Sequence, residues 1–490
     1  MVGVPGRSKG CNTCRRRKKG CDLARPACGQ CRRAGIECAG YVRSRAFINM
    51  TDATGSLSHG RVTVAARATS MSHSTVALPD DLARAAYEVR YLELFWDAYM
   101  PLKSNLGGVE HVTYVNPPWA DAANDLYPAD EALRTALLAL GLRTIGRRDG
   151  HQWMVNEGLG AYVRSLRHVS KQLRQAQGWK SDALLATSKV LGLYELLCGA
   201  EDESTGNTSQ ENSWQIHNTG EQALIIRRSP EMHTRGHAAL LFSNARTHII
   251  IVCMVKRQRC PLSTPAWKTV PFTHTPKTYK DALLDVFVDI PGLLENLDAL
   301  RLAQDPSSSS QRDKRVGILQ ECWRLDRELL GWFDKYGPRR QIEELRERRF
   351  RNQDPSLSDA VTAHIMGIYW AVCILVYSTL QSVLTLHNGG CMSIDEAALP
   401  ERMELKQYCR HIADIAEVLL HPSTGVFGLH STALPLGVAL RYLNSVKEPD
   451  FGELMSPEKR RLLGLLDGDQ WRVDSLRTFL SSSIKDQNRL

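Results

Sequence analysis

Acidic residues are all but missing from the start of this 490-residue chain: its first 47 positions hold only Asp22 and Glu37, against twelve Lys or Arg. That segment carries a net +10, while the other 443 residues hold 50 basic and 51 acidic side chains, a net −1. The overall charge of +9 is therefore a local property, and a concentrated positive segment draws a polyanion. An apolar run is also missing from the opening MVGVPGRSKG, so no secretory signal is expected and the thiols are expected to stay reduced. Neither a phosphate-binding P-loop nor a dinucleotide glycine fingerprint occurs, which removes the commonest nucleotide and hydride-transfer signatures. With no acid, base or nucleophile constellation in view, an enzyme is not expected. Cysteine is sparse too, at thirteen residues, yet six of them fall between Cys11 and Cys38.

Those six are spaced as C-x2-C-x6-C written twice: Cys11, Cys14 and Cys21, then Cys28, Cys31 and Cys38, superimposed by a shift of 17 residues. A C-x2-C pair returns the second sulfur to about a tetrahedral edge from the first, which suits zinc. Each half supplies three thiolates where a closed structural site takes four. Two zinc ions need eight ligand positions, and six sulfurs fill them only if two bridge. The count itself argues for a binuclear cluster carrying a charge of about −2 that neighbouring cations offset. Some thirty residues offer no other core, so metal binding is expected to supply most of their folding free energy. The run RRRKK, Arg15 to Lys19, follows a ligand directly, and clamping Cys14 and Cys21 to one metal is expected to hold it in a short helix that presents its cations on one face. Such a helix fits the DNA major groove, where Lys or Arg donates to guanine while neighbours contact phosphate.

The stretch CNTCRRRKKGCDLARPACGQCRRAGIEC closely resembles the fungal Zn2Cys6 binuclear zinc cluster transcription factors, whose pattern is C-x2-C-R-x-R-K-x-K-C-D, six residues, C-x2-C, six residues, C. All six cysteines match, as do Arg15, Arg17, Lys18, Asp22 and Pro26. The resemblance implies two Zn2+ bridged by Cys11 and Cys28, Lys18 reading a CGG-like triplet, and Arg15, Arg16, Arg17 and Lys19 on the DNA backbone. Gly20 departs from the pattern, which usually has a basic residue there, so one phosphate contact is expected to be missing unless Lys19 supplies it. The implied function is a nuclear, sequence-specific, zinc-dependent regulator of RNA polymerase II transcription of a pathway or gene cluster. Its implied partners are double-stranded DNA and the transcription machinery. A homodimer and a small-molecule inducer are admitted without being decided, and a membrane partner is not expected. The same basic run fits a nuclear import signal. The alternatives are an interaction protein whose cluster binds protein or RNA, and an enzyme whose helical part is the active one.

The expected architecture is a small metal-stabilised Zn2Cys6 domain at 8–43, a flexible linker at 44–79 and a large all-α domain at 80–486. Residues 48–79 hold ten Ser or Thr and little to bury. From Asp80 the apolar spacing is helical. Leu82, Ala85, Val89, Leu92, Trp96 and Tyr99 form one stripe, and fewer than three heptads before Pro101 favour a helix packed on its own domain over a coiled coil. Further helices are expected within 132–146, 151–175, 181–199, 235–255, 317–337 and 403–422, with Ser307 to Ser310 as a surface loop. The segments YLELFWDAYMP and SWQIHNTGEQALI, with Trp214, His217 and Gly220, are similar to the fungal-specific regulatory domain that accompanies the cluster.

Other features invite sharper readings. Residues 360–394 lack Asp, Glu, Lys and Arg, and Ile365 to Leu384 is long enough to span a bilayer behind Arg346, Arg348, Arg349 and Arg351. Gly367, Ser378, Thr379, Gln381 and Ser382 within it favour a buried central helix instead. His233 and His237 are four apart but lack a Glu between them and a third ligand. Cys198, Cys253, Cys260, Cys322, Cys373, Cys391 and Cys409 are scattered as small core residues would be. The only acidic cluster is Glu201 to Glu203, and Asn49 and Asn207 head sequons without meaning in a nucleus.

Overall fold

The computed structural model describes residues 10–24, 27–38, 80–102, 118–198, 210–302, 309–385, 401–446, 455–467 and 471–481. The expected linker at 44–79, the acidic cluster at 201–203, Cys391 and both sequon asparagines lie outside these residues. The chain divides into two compact units, residues 1–76 and 77–490, and no strand occurs among the described residues.

The first unit contains two five-residue helices, α1 (Asn12–Arg16) and α2 (Gly29–Arg33). Neither is long enough to persist alone in water. Apart from partly covered Cys21 and Cys38, its apolar centre is made of Cys11, Cys14, Cys28 and Cys31.

In the second unit the order is α3 (Asp80–Tyr99), α4 (Pro118–Leu126), α5 (Glu131–Arg148), α6 (Gln152–Leu173), α7 (Asp182–Cys198), α8 (Gln210–Arg228) and α9 (Gly236–Lys256). There follow α10 (Pro265–Thr269), α11 (Tyr279–Phe287), α12 (Ile290–Arg301), α13 (Ser309–Tyr336), α14 (Arg339–Phe350) and α15 (Leu357–Thr385). The remainder is α16 (Leu405–Leu420), α17 (Gly425–Ser445), α18 (Pro457–Gly464) and α19 (Trp471–Phe479). Helices α5, α6, α7 and α8 pack in sequence, and α15 is surrounded by α13, α14, α16 and α17. The apolar segment that could cross a membrane is thus a core helix, its most apolar window 89% buried, and α9 is of the same kind at 72%. A helix apolar on every side is covered on every side.

Local chemistry fixes the joints. Asp130 caps α5, accepting from the Leu133 N–H at 2.9 Å, and its other oxygen accepts from Gln172 of α6 at 2.6 Å. Where α5 and α6 cross, Gly146 leaves no room for a side chain, since a Cβ there would lie 2.8 Å from that of Met154. Buried Asp326 of α13 accepts from Arg402 Nε and Nη2, each at 3.0 Å, and from the Tyr377 hydroxyl of α15 at 2.8 Å. Arg228 of α8, its side chain wholly covered, reaches Asp182 at 2.9 Å and the Trp179 carbonyl at 2.8 Å.

Three expectations are refined. On α3 the covered face is Leu92, Phe95 and Tyr99 with Trp96 beside it, whereas Val89 is 44% exposed. The aromatic pairs Trp96–Trp119 and Tyr99–Trp119 pull the helix round toward α4, and it packs on α5 and α17 of its own unit. Ser309 and Ser310 open α13 rather than lying in a loop, because serine is well tolerated in a first turn where backbone donors are free. His233 and His237 do not share a helical face: His233 ends a tight turn, buried and stacked on Phe242, while His237 stands in the first turn of α9, 3.2 Å from Asp125. Six of the seven scattered cysteines are buried, as core residues are.

Candidate metal centre and nucleic-acid interface

The two halves of the cysteine repeat fold alike. In the first, the Cys14 N–H donates to Cys11 Sγ at 3.3 Å; in the second, the Cys31 N–H donates to Cys28 Sγ at 3.3 Å. Each first cysteine thus caps the short helix that carries the next. The halves meet sulfur to sulfur, with Cys11–Cys28 and Cys14–Cys28 at 3.6 Å and Cys11–Cys31 at 3.8 Å. A zinc–sulfur bond of about 2.3 Å gives a tetrahedral edge of about 3.8 Å, so these sulfurs stand where a shared metal cluster requires them.

Two groups of four sulfurs lie within 4.8 Å of one another, Cys11, Cys14, Cys21, Cys28 and Cys11, Cys28, Cys31, Cys38. The groups share Cys11 and Cys28. Six thiols therefore make two tetrahedral sets, and two zinc ions fit. Burial pushes the Cys31 thiol up to about 12 and Cys14 in the same direction. Without a cation these sulfurs keep their protons; zinc binding displaces them.

Asp22, placed after the third cysteine, ties the halves together. Its carboxylate accepts from the Gly29 N–H at 2.9 and 3.0 Å, at the start of α2. A Cβ on Gly29 would lie 2.3 Å from Asp22 Oδ2, so a side chain there would push the carboxylate aside and loosen this tie. Thr13 adds a second tie, its hydroxyl donating to the Glu37 carbonyl at 3.1 Å. Sequence reasoning matched Asp22 to a pattern without giving it a task; its signal was the glycine directly after Cys28.

The basic run is not a helix throughout. Helix α1 stops at Arg16, and Lys18 takes a left-handed conformation at φ +54°. The Lys19 N–H then donates back to the Cys14 carbonyl at 3.0 Å, closing the helix end. Seventeen residues on, Gly35 does the same at φ +63°, with the Ile36 N–H donating to the Cys31 carbonyl at 3.1 Å. One backbone motif is thus used twice, with the expected glycine in one copy and a lysine in the other. Arg16, Arg17, Lys18 and Lys19 are exposed, and none is held in an ion pair among the described residues; the Arg15 side chain lies outside them. Clamping to sulfur therefore presents these cations along a helix end and turn instead of one helical face.

Residues 9–46 match the family model of the fungal Zn(2)-Cys(6) binuclear cluster domain. An uncharacterized protein, AN5342, of Emericella nidulans is 25% identical over 187 residues, 36% of this chain and 38% of that protein. The chain thus spans well under half of that relative. No solved structure matches. Match and sulfur geometry agree: the N-terminal unit carries a fungal Zn2Cys6 binuclear cluster domain.

Proposed function

We propose that this protein is a nuclear, sequence-specific regulator of RNA polymerase II transcription whose cluster reads a CGG-like triplet in the major groove. The reading rests above all on Lys18, which occupies a left-handed position that its repeat partner fills with Gly35. A lysine there costs about 1–2 kcal/mol relative to an unstrained residue, and it sets an exposed ammonium on the turn that closes the first half of the cluster. Lys18 donates to guanine O6 and N7, while Arg15, Arg16, Arg17 and Lys19 hold phosphates.

Cys11, Cys14, Cys21, Cys28, Cys31 and Cys38 hold two Zn2+, with Cys11 and Cys28 bridging. The zinc supplies cross-linking and charge, not catalysis. The domain occupies 8–43, the residues to 79 connect it, and 80–486 form the regulatory part that answers the transcription machinery. The exposed Arg16 to Lys19 run fits nuclear import.

The test is selection of the full-length protein on a randomised duplex pool, with zinc and with a chelator. Zinc-dependent enrichment of CGG-like triplets is expected, and paired triplets at fixed spacing would establish a dimer. Enrichment that survives chelation, or none despite two bound zinc ions, refutes the reading.

A further inference from the structure

The helical unit holds a partly open cavity of about 610 Å³, well within the range of small-molecule sites. Helices α9, α15 and α17 form its walls, and α8, α11 and α19 contribute to its ends. Most of its surface is apolar, from Trp214, Ile251, Met254, Ile368, Leu434 and Phe479. Its polar groups gather around α9 and α17 and are poorly satisfied. Asn244 Oδ1, Thr247 Oγ1 and Ser431 Oγ have no hydrogen-bond partner although their residues are only 8%, 8% and 5% exposed, and His364 Nδ1 has none either. Buried polar atoms without partners cost about 1–3 kcal/mol each, and natural structures hold few. The cavity lining thus combines apolar side chains with a few hydroxyl, amide and imidazole groups.

The charge around the cavity identifies its chemistry. Lys280 lines it and makes no hydrogen bond or ion pair among the described residues. The adjacent carboxylate, Asp281, is already taken by Arg246 at 3.3 Å, Ser243 at 2.9 Å and Thr278 at 2.7 Å. Behind the wall, the Lys189 ammonium lies 2.9 Å from a His248 ring nitrogen, and His248 lies 3.1 Å from His430. The acid lining the cavity, Glu211, is 3.7 Å from Arg441. One uncompensated ammonium with hydroxyl, amide and imidazole groups near it favours an oxyanion and repels a cation.

We infer that this cavity binds a small amphipathic anion, a carboxylate on an apolar body, with Lys280 as its counter-charge. The inference deepens the regulatory reading of residues 80–486, and the ligand's role as a signal rests on that reading. Binding itself requires neither zinc nor DNA. Filling the cavity would tie α9, α15 and α17 to one ligand, which is how a small molecule could set the state of this unit.

The experiment measures binding of dodecanoate, dodecan-1-ol and dodecyltrimethylammonium, each below its micellar range, to the zinc-loaded full chain by calorimetry. One dodecanoate per chain is expected, bound at least about ten-fold tighter than the alcohol, with the ammonium weakest. Lys280→Gln should bring dodecanoate to the level of the alcohol and leave the alcohol unchanged, Lys280→Arg should keep the preference, and Leu434→Trp should block both. Equal affinity for acid and alcohol, an unchanged preference in Lys280→Gln, unsaturable uptake, or full binding in Leu434→Trp overturns the inference. Should Lys280→Gln fail to fold, Lys280→Arg and Leu434→Trp decide alone. DNA selection on the same preparation separates the two readings, since a failed reading head leaves dodecanoate binding intact.

Discussion

A lysine with φ +54° and a glycine with φ +63°, seventeen residues apart, divide the cluster's labour at the scale of single residues. Lys18→Gly should relieve the strain and hold zinc at least as well as the parent, judged by the rate of metal loss to a colorimetric chelator. The same variant should lose about 1–3 kcal/mol of discrimination at one base step. A uniform loss on all sequences would make Lys18 a phosphate contact instead. Gly29→Ala tests the opposite property, since its Cβ collides with the Asp22 carboxylate. That variant should release zinc faster, while its exposed cations stay in place. Both residues stand in plain sight in the sequence, but their tasks do not: a φ angle and a carboxylate contact are facts of the folded chain.

Among elements, the glycine at the α5–α6 crossing and the ion pair between α13 and the 401–403 turn are the points where one atom decides packing. Gly146→Ala places a methyl 2.8 Å from Met154 Cβ and 2.9 Å from the Val155 nitrogen, and backbone atoms cannot step aside. We expect a loss of about 1–3 kcal/mol in urea unfolding, despite alanine's higher helix propensity. Arg402→Ala leaves Asp326, 3% exposed, with only the Tyr377 hydroxyl, and should cost about 3 kcal/mol by the same measurement. Adding Asp326→Asn should recover part of it by removing the buried charge. The sequence carried the helices well, because apolar spacing reports burial wherever one face is covered. It misjudged Val89 because spacing alone does not say which side the aromatic partners of α3 occupy. Nor could it show the cavity, whose wall is drawn from helices hundreds of residues apart.

Taken whole, the chain joins a metal-built unit to one built from apolar helices, so the two should fail under different stresses. Chelation should abolish DNA binding yet leave helical circular dichroism close to that of the zinc-loaded protein. Acid should act on the helical unit. Burial pushes His217 down to about 4 and lowers His233, His248, His364, His411 and His430, all of which titrate near 6.5 when unfolded. Below about 6.5 the unfolded chain takes protons that the folded one refuses, so stability should fall with pH there. Glu221, pushed up to about 7, and Glu195, also raised by burial, work the other way, because the folded state binds those protons first. Six groups outweigh two, and the thermal midpoint should drop between about pH 7 and pH 5.

The two halves of the cluster have the same backbone, but only the first puts a cation at its left-handed turn. On the reading proposed above, one cluster therefore carries one short word. A three-base word, readable on either strand, recurs by chance about once in 32 base pairs, far too often to single out a promoter among a genome's competing sites. The information must come from repetition or company: two such words at a fixed spacing, or a neighbouring protein that supplies the rest of the address.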